Sequence, residues 1–115
     1  MEFSNELNKT WFIDLDGTIV KHNGYLNGGD EILPNVKSFF KEINKNDYVI
    51  ITTARSKTYQ KETEKFLFDN NIKYNQIIFG LPTGSRILIN DKKPDGTKTA
   101  YCYNVKRNKG INLLK

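Results

Sequence analysis

Two acids stand two positions apart in the stretch WFIDLDGTIV, Asp14 and Asp16, and Gly17 follows at once. Side chains two apart on a strand share a face, so a strand here puts both carboxylates on one side. Like charges repel, and isolated buried charges are costly. The pair is tolerable where a cation lies between the acids, or where both sit in a cleft at a strand's end. Two further apolar runs also end in polar side chains. YVIITT closes on Thr52 and Thr53, and ILIND closes on Asn90 and Asp91. Asp14, Asp16 and Asp91 together make a hard, all-oxygen set of the kind Mg²⁺ takes, leaving positions for water and a substrate phosphate. Thr53 can donate its hydroxyl to a phosphate oxygen, and a basic residue would complete neutralisation of a phosphoryl group in transfer. One carboxylate can then act as covalent nucleophile and the other as general acid and base.

The elements that must position these residues alternate along the chain. A strand is expected over residues 10–15, then a loop over 21–33 that contains Gly24, Gly28 and Gly29. Pro34 suits the first turn of a helix, where its missing N–H costs nothing. Val36, Phe39, Phe40 and Ile43 follow as one apolar stripe, and residues 44–47 end it. Residues 48–53 are β-branched and nearly continuous, as in a strand buried on both faces. Ser56 is an expected N-cap for a second helix that runs to about Asp69, packs through Tyr59, Phe66 and Leu67, and stops at Asn70-Asn71. Short strands are expected over 76–79 and 87–89, separated by the turn-rich GLPTGS, with an edge strand over 99–105. Strands alternating with helices imply parallel pairing and right-handed crossovers. The expected fold class is α/β, a three-layer α/β/α sandwich around a mainly parallel, Rossmann-like sheet. In such sheets the functional cleft lies outside the carboxyl ends of the strands, which is where Asp14, Asp16, Thr53, Asn90 and Asp91 fall.

At 115 residues and 13.3 kDa, with 37% hydrophobic and 27% charged residues, the chain reads as a single soluble domain over 1–115. No apolar run approaches the roughly 18–20 residues of a membrane span, so no membrane partner is expected. Residues 1–10 carry acids and lack an apolar core, unlike a secretory signal. Cys102 is alone, which excludes an internal disulfide and a cysteine-based zinc site and suits a cytoplasmic home. The net charge of +5 and pI near 9.3 suit an anionic partner, either a phosphorylated metabolite or nucleic acid. The small metabolite is the favoured partner, because the basic residues on the helices and in KRNKGINLLK are neither dense nor interleaved with stacking aromatics.

DLDGT after one apolar strand, TTAR after a second and ILIND after a third resemble, in that order, the motifs of the haloacid dehalogenase-like phosphohydrolase superfamily. The resemblance spans residues 11–91 and implies Mg²⁺-dependent hydrolysis of phosphomonoesters through an aspartyl-phosphate. It implies that Asp14 is the nucleophile and a metal ligand. Asp16 is then the general acid and base and gives its backbone carbonyl to the metal. Thr53 would bind the phosphoryl group, and Asp91 would hold the metal with Asn90 beside it. The family's third motif supplies a lysine, in many small members within G-K-P, but here the segment is Gly80-Leu81-Pro82. Arg86 is the first substitute because its guanidinium can fork onto phosphate oxygens, and Lys92 and Lys93 come next. Arg55 is a further expected substrate contact, weighed evenly against a solvated arginine at a helix start.

Neither interval between motifs has room for the cap domain that usually reads the substrate, so the chain resembles a capless member. Among these, the LPTG…INDKKPDG segment most resembles small phosphatases of sugar phosphates in capsule synthesis, some of which form homo-oligomers. Two alternatives stand beside this reading: a polynucleotide or nucleotide phosphatase, and a non-catalytic binding module on the same fold. His22 and Tyr25 read as loop residues, Trp11 as packing, and Asp95 as the middle of a Pro-Asp-Gly turn.

Overall fold

The computed structural model describes residues 7–113. The reading of residues 1–10 as no secretory signal therefore lies mostly outside the described residues. Three strands form one parallel sheet in the order β1 (Thr10–Asp14), β2 (Tyr48–Thr52), β3 (Gln76–Ile78). Asp14 pairs with Thr52 and Thr52 with Ile78, so all three strands end level at one rim. Two helices, α1 (Val36–Glu42) and α2 (Gln60–Asp69), lie between the strands in sequence, and the parallel α/β alternation is as expected. Short 3₁₀ turns at Gly24–Leu26 and Lys57–Tyr59 complete the regular elements.

The local chemistry explains the boundaries. α1 begins at Val36 rather than at Pro34, because Asn35 stands in the left-handed region with φ 64°. Ser56 caps as expected, its side chain accepting from Thr58 N–H, but it caps the 3₁₀ turn that leads into α2. α2 ends where Asn71 turns left-handed at φ 59°. There Asn71 N–H bonds Phe68 O and Ile72 N–H bonds Leu67 O, a Schellman closure that also brings apolar Ile72 onto Leu67. One core gathers Ile13 and Leu15, Val49 and Ile51, Val36 and Phe39, Leu67 and Ile72. Trp11 packs as expected: its ring meets Phe39 edge-on at 5.5 Å and its Nε1 donates to buried Asp47 (2.9 Å).

Beyond β3 the expectations are corrected. Residues 87–89 form no strand, and Ile87, Leu88 and Ile89 are 84%, 59% and 90% exposed. Residues 99–105 form no edge strand either. An apolar tripeptide reads as a strand only if a neighbour offers a ladder, and its own pattern does not name that neighbour. Instead Arg86 turns back on its own loop, its Nη1 donating to Pro82 O (3.0 Å) and Gly84 O (2.9 Å). The Pro94-Asp95-Gly96 turn forms as expected, with Asp95 accepting from Thr97 N–H (2.9 Å). The result is an open, three-stranded α/β sheet whose β1 pairs only with β2 among the described residues. No helix among them is long and apolar enough to cross a membrane.

This division of the chain sets unequal costs for substitution. Ile51→Ala in the fully buried centre of β2 is expected to cost about 2–4 kcal/mol. Ile89→Lys should stay within about 0.5 kcal/mol. Urea unfolding of the two variants checks the ratio, and a large cost at Ile89 would place residues 87–89 in the core after all.

Candidate functional site

β1 delivers Asp14 to the sheet rim, and the chain then turns sharply. Leu15 N–H continues the ladder to Thr52 O (3.0 Å), while Leu15 O accepts the amides of Thr18, Ile19 and Val20. Gly17, at φ +86°, makes this turn possible. Its N–H closes on Val20 O (2.7 Å). The returning chain pairs Lys21 with Glu31 and Ile19 with Leu33, so residues 17–33 form a short antiparallel flap.

The two acids have different surroundings. Asp14 is exposed; its Oδ2 accepts the Thr18 hydroxyl (3.2 Å), and the Leu15 N–H also acts on the carboxyl. Desolvation by the surrounding rim pushes its carboxyl above the ordinary range. Thr18 and the Arg86 charge oppose the rise, and the Asp16 charge adds to it. Asp16, by contrast, is held on both oxygens. Its Oδ1 accepts from Arg55 Nε (3.0 Å) and Nη2 (2.9 Å), and its Oδ2 accepts from Thr53 Oγ1 (2.8 Å).

Arg55 is the centre of this arrangement and is only 3% exposed. Besides Asp16 it reaches Asp30, through Nη1 (3.0 Å) and Nη2 (2.7 Å), and Thr63 Oγ1 through Nη1 (3.0 Å). All five of its N–H donors are thereby used. Its Cζ lies 4.0 Å from the centroid of the Tyr25 ring, which packs edge-on against Tyr59. Desolvation pulls the Arg55 pKa down, and the bonds to Asp30 and Asp16 more than reverse it. Arg55 is therefore neither a substrate contact nor a solvated helix-start arginine: no donor remains for a phosphate.

Thr53 lies beside Asp16 at the rim, as expected, but is fully buried. Its hydroxyl donates to Asp16 and accepts from Arg55 N–H (3.0 Å), so it is committed within the protein. Asn90 and Asp91 are not brought to Asp14. Both are exposed, and Thr99 ties them locally, its Oγ1 accepting from Asn90 Nδ2 and donating to Asp91 O. Among the described residues no three acidic, histidine or cysteine side chains gather as a metal-holding group. Arg86 and Lys92 are exposed, and of the two the Arg86 charge acts on Asp14.

For a hydrated Mg²⁺ the donor chemistry at the rim is nevertheless suitable. Asp14 has one side-chain hydrogen bond, and Asp16 O accepts no backbone N–H among the described residues. Mg²⁺ commonly takes one or two protein oxygens and completes its shell with water and phosphate. Two carboxylates, those of Asp16 and Asp30, share one buried guanidinium, and Asp14 is not paired with it.

Asp30 is the participant that sequence reasoning missed. Its only signal is the Gly28-Gly29 pair before it, whose φ values of 92° and 116° turn the flap back towards Arg55. Asn108 was missed as well; its Oδ1 accepts from His22 N–H (2.7 Å), whereas His22 Nδ1 is buried and takes no partner among the described residues. No family model, curated protein or solved structure matches the chain.

Two stability measurements follow. Asp30→Ala leaves part of a buried guanidinium unpaired and is expected to cost about 2–4 kcal/mol in urea unfolding, nearly as much as breaking a buried pair outright. Asp14→Asn should act in the opposite direction. A carboxyl whose folded pKa is raised favours the protonated fold, so its penalty sets in as pH rises from about 3.8 through the folded value. The variant should thus equal the wild type near pH 3 and exceed it at pH 7. Solvent screening of this exposed group keeps the gain below about 1 kcal/mol. Thermal melts of both proteins across that range give the comparison.

Proposed function

We propose that the protein is a Mg²⁺-dependent phosphomonoester hydrolase that works through an aspartyl-phosphate at Asp14, on a small phosphorylated metabolite such as a sugar phosphate. The observation that carries this reading is the unequal pair on one rim: Asp14 exposed and weakly bonded, Asp16 held two residues away. An Asp14 oxygen attacks phosphorus, the bond to the leaving oxygen breaks, and the negative charge passes to that oxygen. Asp16, released from Arg55 and protonated from solvent, gives that oxygen its proton; it later accepts one from the water that attacks phosphorus and breaks the bond to Asp14, releasing inorganic phosphate. For this Asp16 must release Arg55, and Asp30 keeps that guanidinium paired while it does so. Asp14 and the Asp16 carbonyl would hold a Mg²⁺, whose charge would offset that of the phosphoryl oxygens.

The fuller architecture, a three-layer sandwich with a fourth strand, belongs to this proposal. The unpaired edge of β1 lies open, and the exposed Ile87–Leu88–Ile89 run is apolar enough to dock there. Docking at that edge once metal and substrate are bound would carry Asn90 and Asp91 to the rim beside Asp14, leaving the free protein insensitive to substitution at Ile89. A second reading, a non-catalytic binding module, is favoured by the commitment of Asp16 and Thr53 to Arg55.

The deciding assay is phosphate release from sugar phosphates, nucleotides and phosphorylated oligonucleotides, with Mg²⁺ or EDTA. Turnover that vanishes with EDTA and drops by about 10³-fold or more in Asp14→Asn is the expected result. Turnover that survives Asp14→Asn would remove the aspartyl-phosphate, and silence with a folded, Mg²⁺-binding protein would favour the binding module.

A further inference from the structure

The last described stretch of the chain folds back over the turn that follows Asp16. Lys109 N–H closes a tight turn on Lys106 O (3.2 Å), with Arg107 and Asn108 at its corner and Asn108 left-handed at φ 62°. Asn108 pins this corner to the flap twice. Its N–H donates to Gly17 O (2.9 Å), and its Oδ1 accepts from His22 N–H (2.7 Å). Downstream, Ile111 is buried in the core and its N–H bonds Pro34 O (3.3 Å). The turn is therefore built into the fold.

Arg107 lies flat on Gly17. A Cβ placed on Gly17 would stand 3.1 Å from Arg107 Cγ and 3.7 Å from its Nε, so the missing side chain is what lets the arginine stem settle there. The guanidinium itself is exposed and makes no hydrogen bond or ion pair among the described residues. Arg55, by contrast, has every donor used. A planar, permanently charged fork with free donors, placed by a fixed turn next to the attacking acid's loop, is an anion receptor.

We propose that Arg107 binds a second anionic group of the substrate, other than the phosphoryl group that Asp14 attacks, and so reads the substrate in a site without a cap. This rests on the hydrolase reading. Arg107 is held at Gly17, the residue after Asp16, by a stem contact that leaves the residue exposed.

The test uses matched pairs that differ by one carboxylate: phosphoglycolate against ethyl phosphate, and phosphoglycerate against glycerol phosphate. The preference for the carboxylated member is measured twice, as a ratio of kcat/KM in the wild type and as a ratio of Kd in Asp14→Asn with Mg²⁺ by calorimetry. About tenfold is expected in at least one pair, as one charge-assisted contact provides. Arg107→Ala should bring that ratio close to one, and Arg107→Lys, a point charge without the fork, should retain part of it. A wild type with no preference, a preference that survives Arg107→Ala, or no binding of any of the four compounds overturns the assignment. Absent turnover with an Arg107-dependent Kd ratio would instead remove the hydrolase reading and leave the anion receptor standing.

Discussion

Everything at the sheet rim depends on one buried charge, the Arg55 guanidinium. Burying an arginine is tolerable only when its charge is paired and its donors are satisfied. Here the partners come from four places in the chain: Asp16 after β1, Asp30 on the flap, Thr63 on α2, and the Tyr25 face above. Arg55 itself follows β2, and Thr53 Oγ1 links its backbone N–H to Asp16. A single side chain thereby ties two strand ends, a helix and a loop to one point. Removing one hydrogen-bonded partner leaves a buried donor unsatisfied while a carboxylate still pairs the charge, so each of these contacts adds to the hold on the rim.

The same network separates the chemistry of two neighbouring acids. Asp16 is drawn inward by donors on both oxygens, and Asp14 is left at the surface with the negative charge that Arg55 does not neutralise. A carboxylate that is exposed, weakly bonded and raised in pKa suits attack on an electrophile and attraction of a cation. A carboxylate held by a guanidinium is fixed in place, and Asp30 shares that guanidinium with Asp16.

The local parts of this design were legible in the sequence, and the long-range parts were not. The apolar periodicities of β1, β2 and the helices, the Ser56 cap and the Asn70-Asn71 stop are all written within a few residues. Asp14 and Asp16 were legible because strand geometry makes a two-residue spacing meaningful. Arg55 was misjudged for the opposite reason. Its carboxylate partners lie 39 and 25 residues away, and nothing beside TTAR marks it as buried. The run at 87–89 misled in a related way: strand-like composition is local, but a strand needs a ladder partner, and the partner is not written in the run itself.

Gly17 shows why the rim needs a residue without a side chain. Its positive φ turns the chain away from Asp16, its carbonyl receives Asn108 N–H, and its bare Cα leaves the space into which the Arg107 stem fits. Any Cβ there would meet both the backbone restriction and the arginine. The two arginines near this turn are disposed in opposite senses. Arg55 faces inward and spends every donor on Asp16, Asp30 and Thr63, whereas Arg107 is held at its stem and makes no hydrogen bond among the described residues. At Arg107 the fixed turn supplies positional order in advance, which lowers the ordering cost of any contact made there.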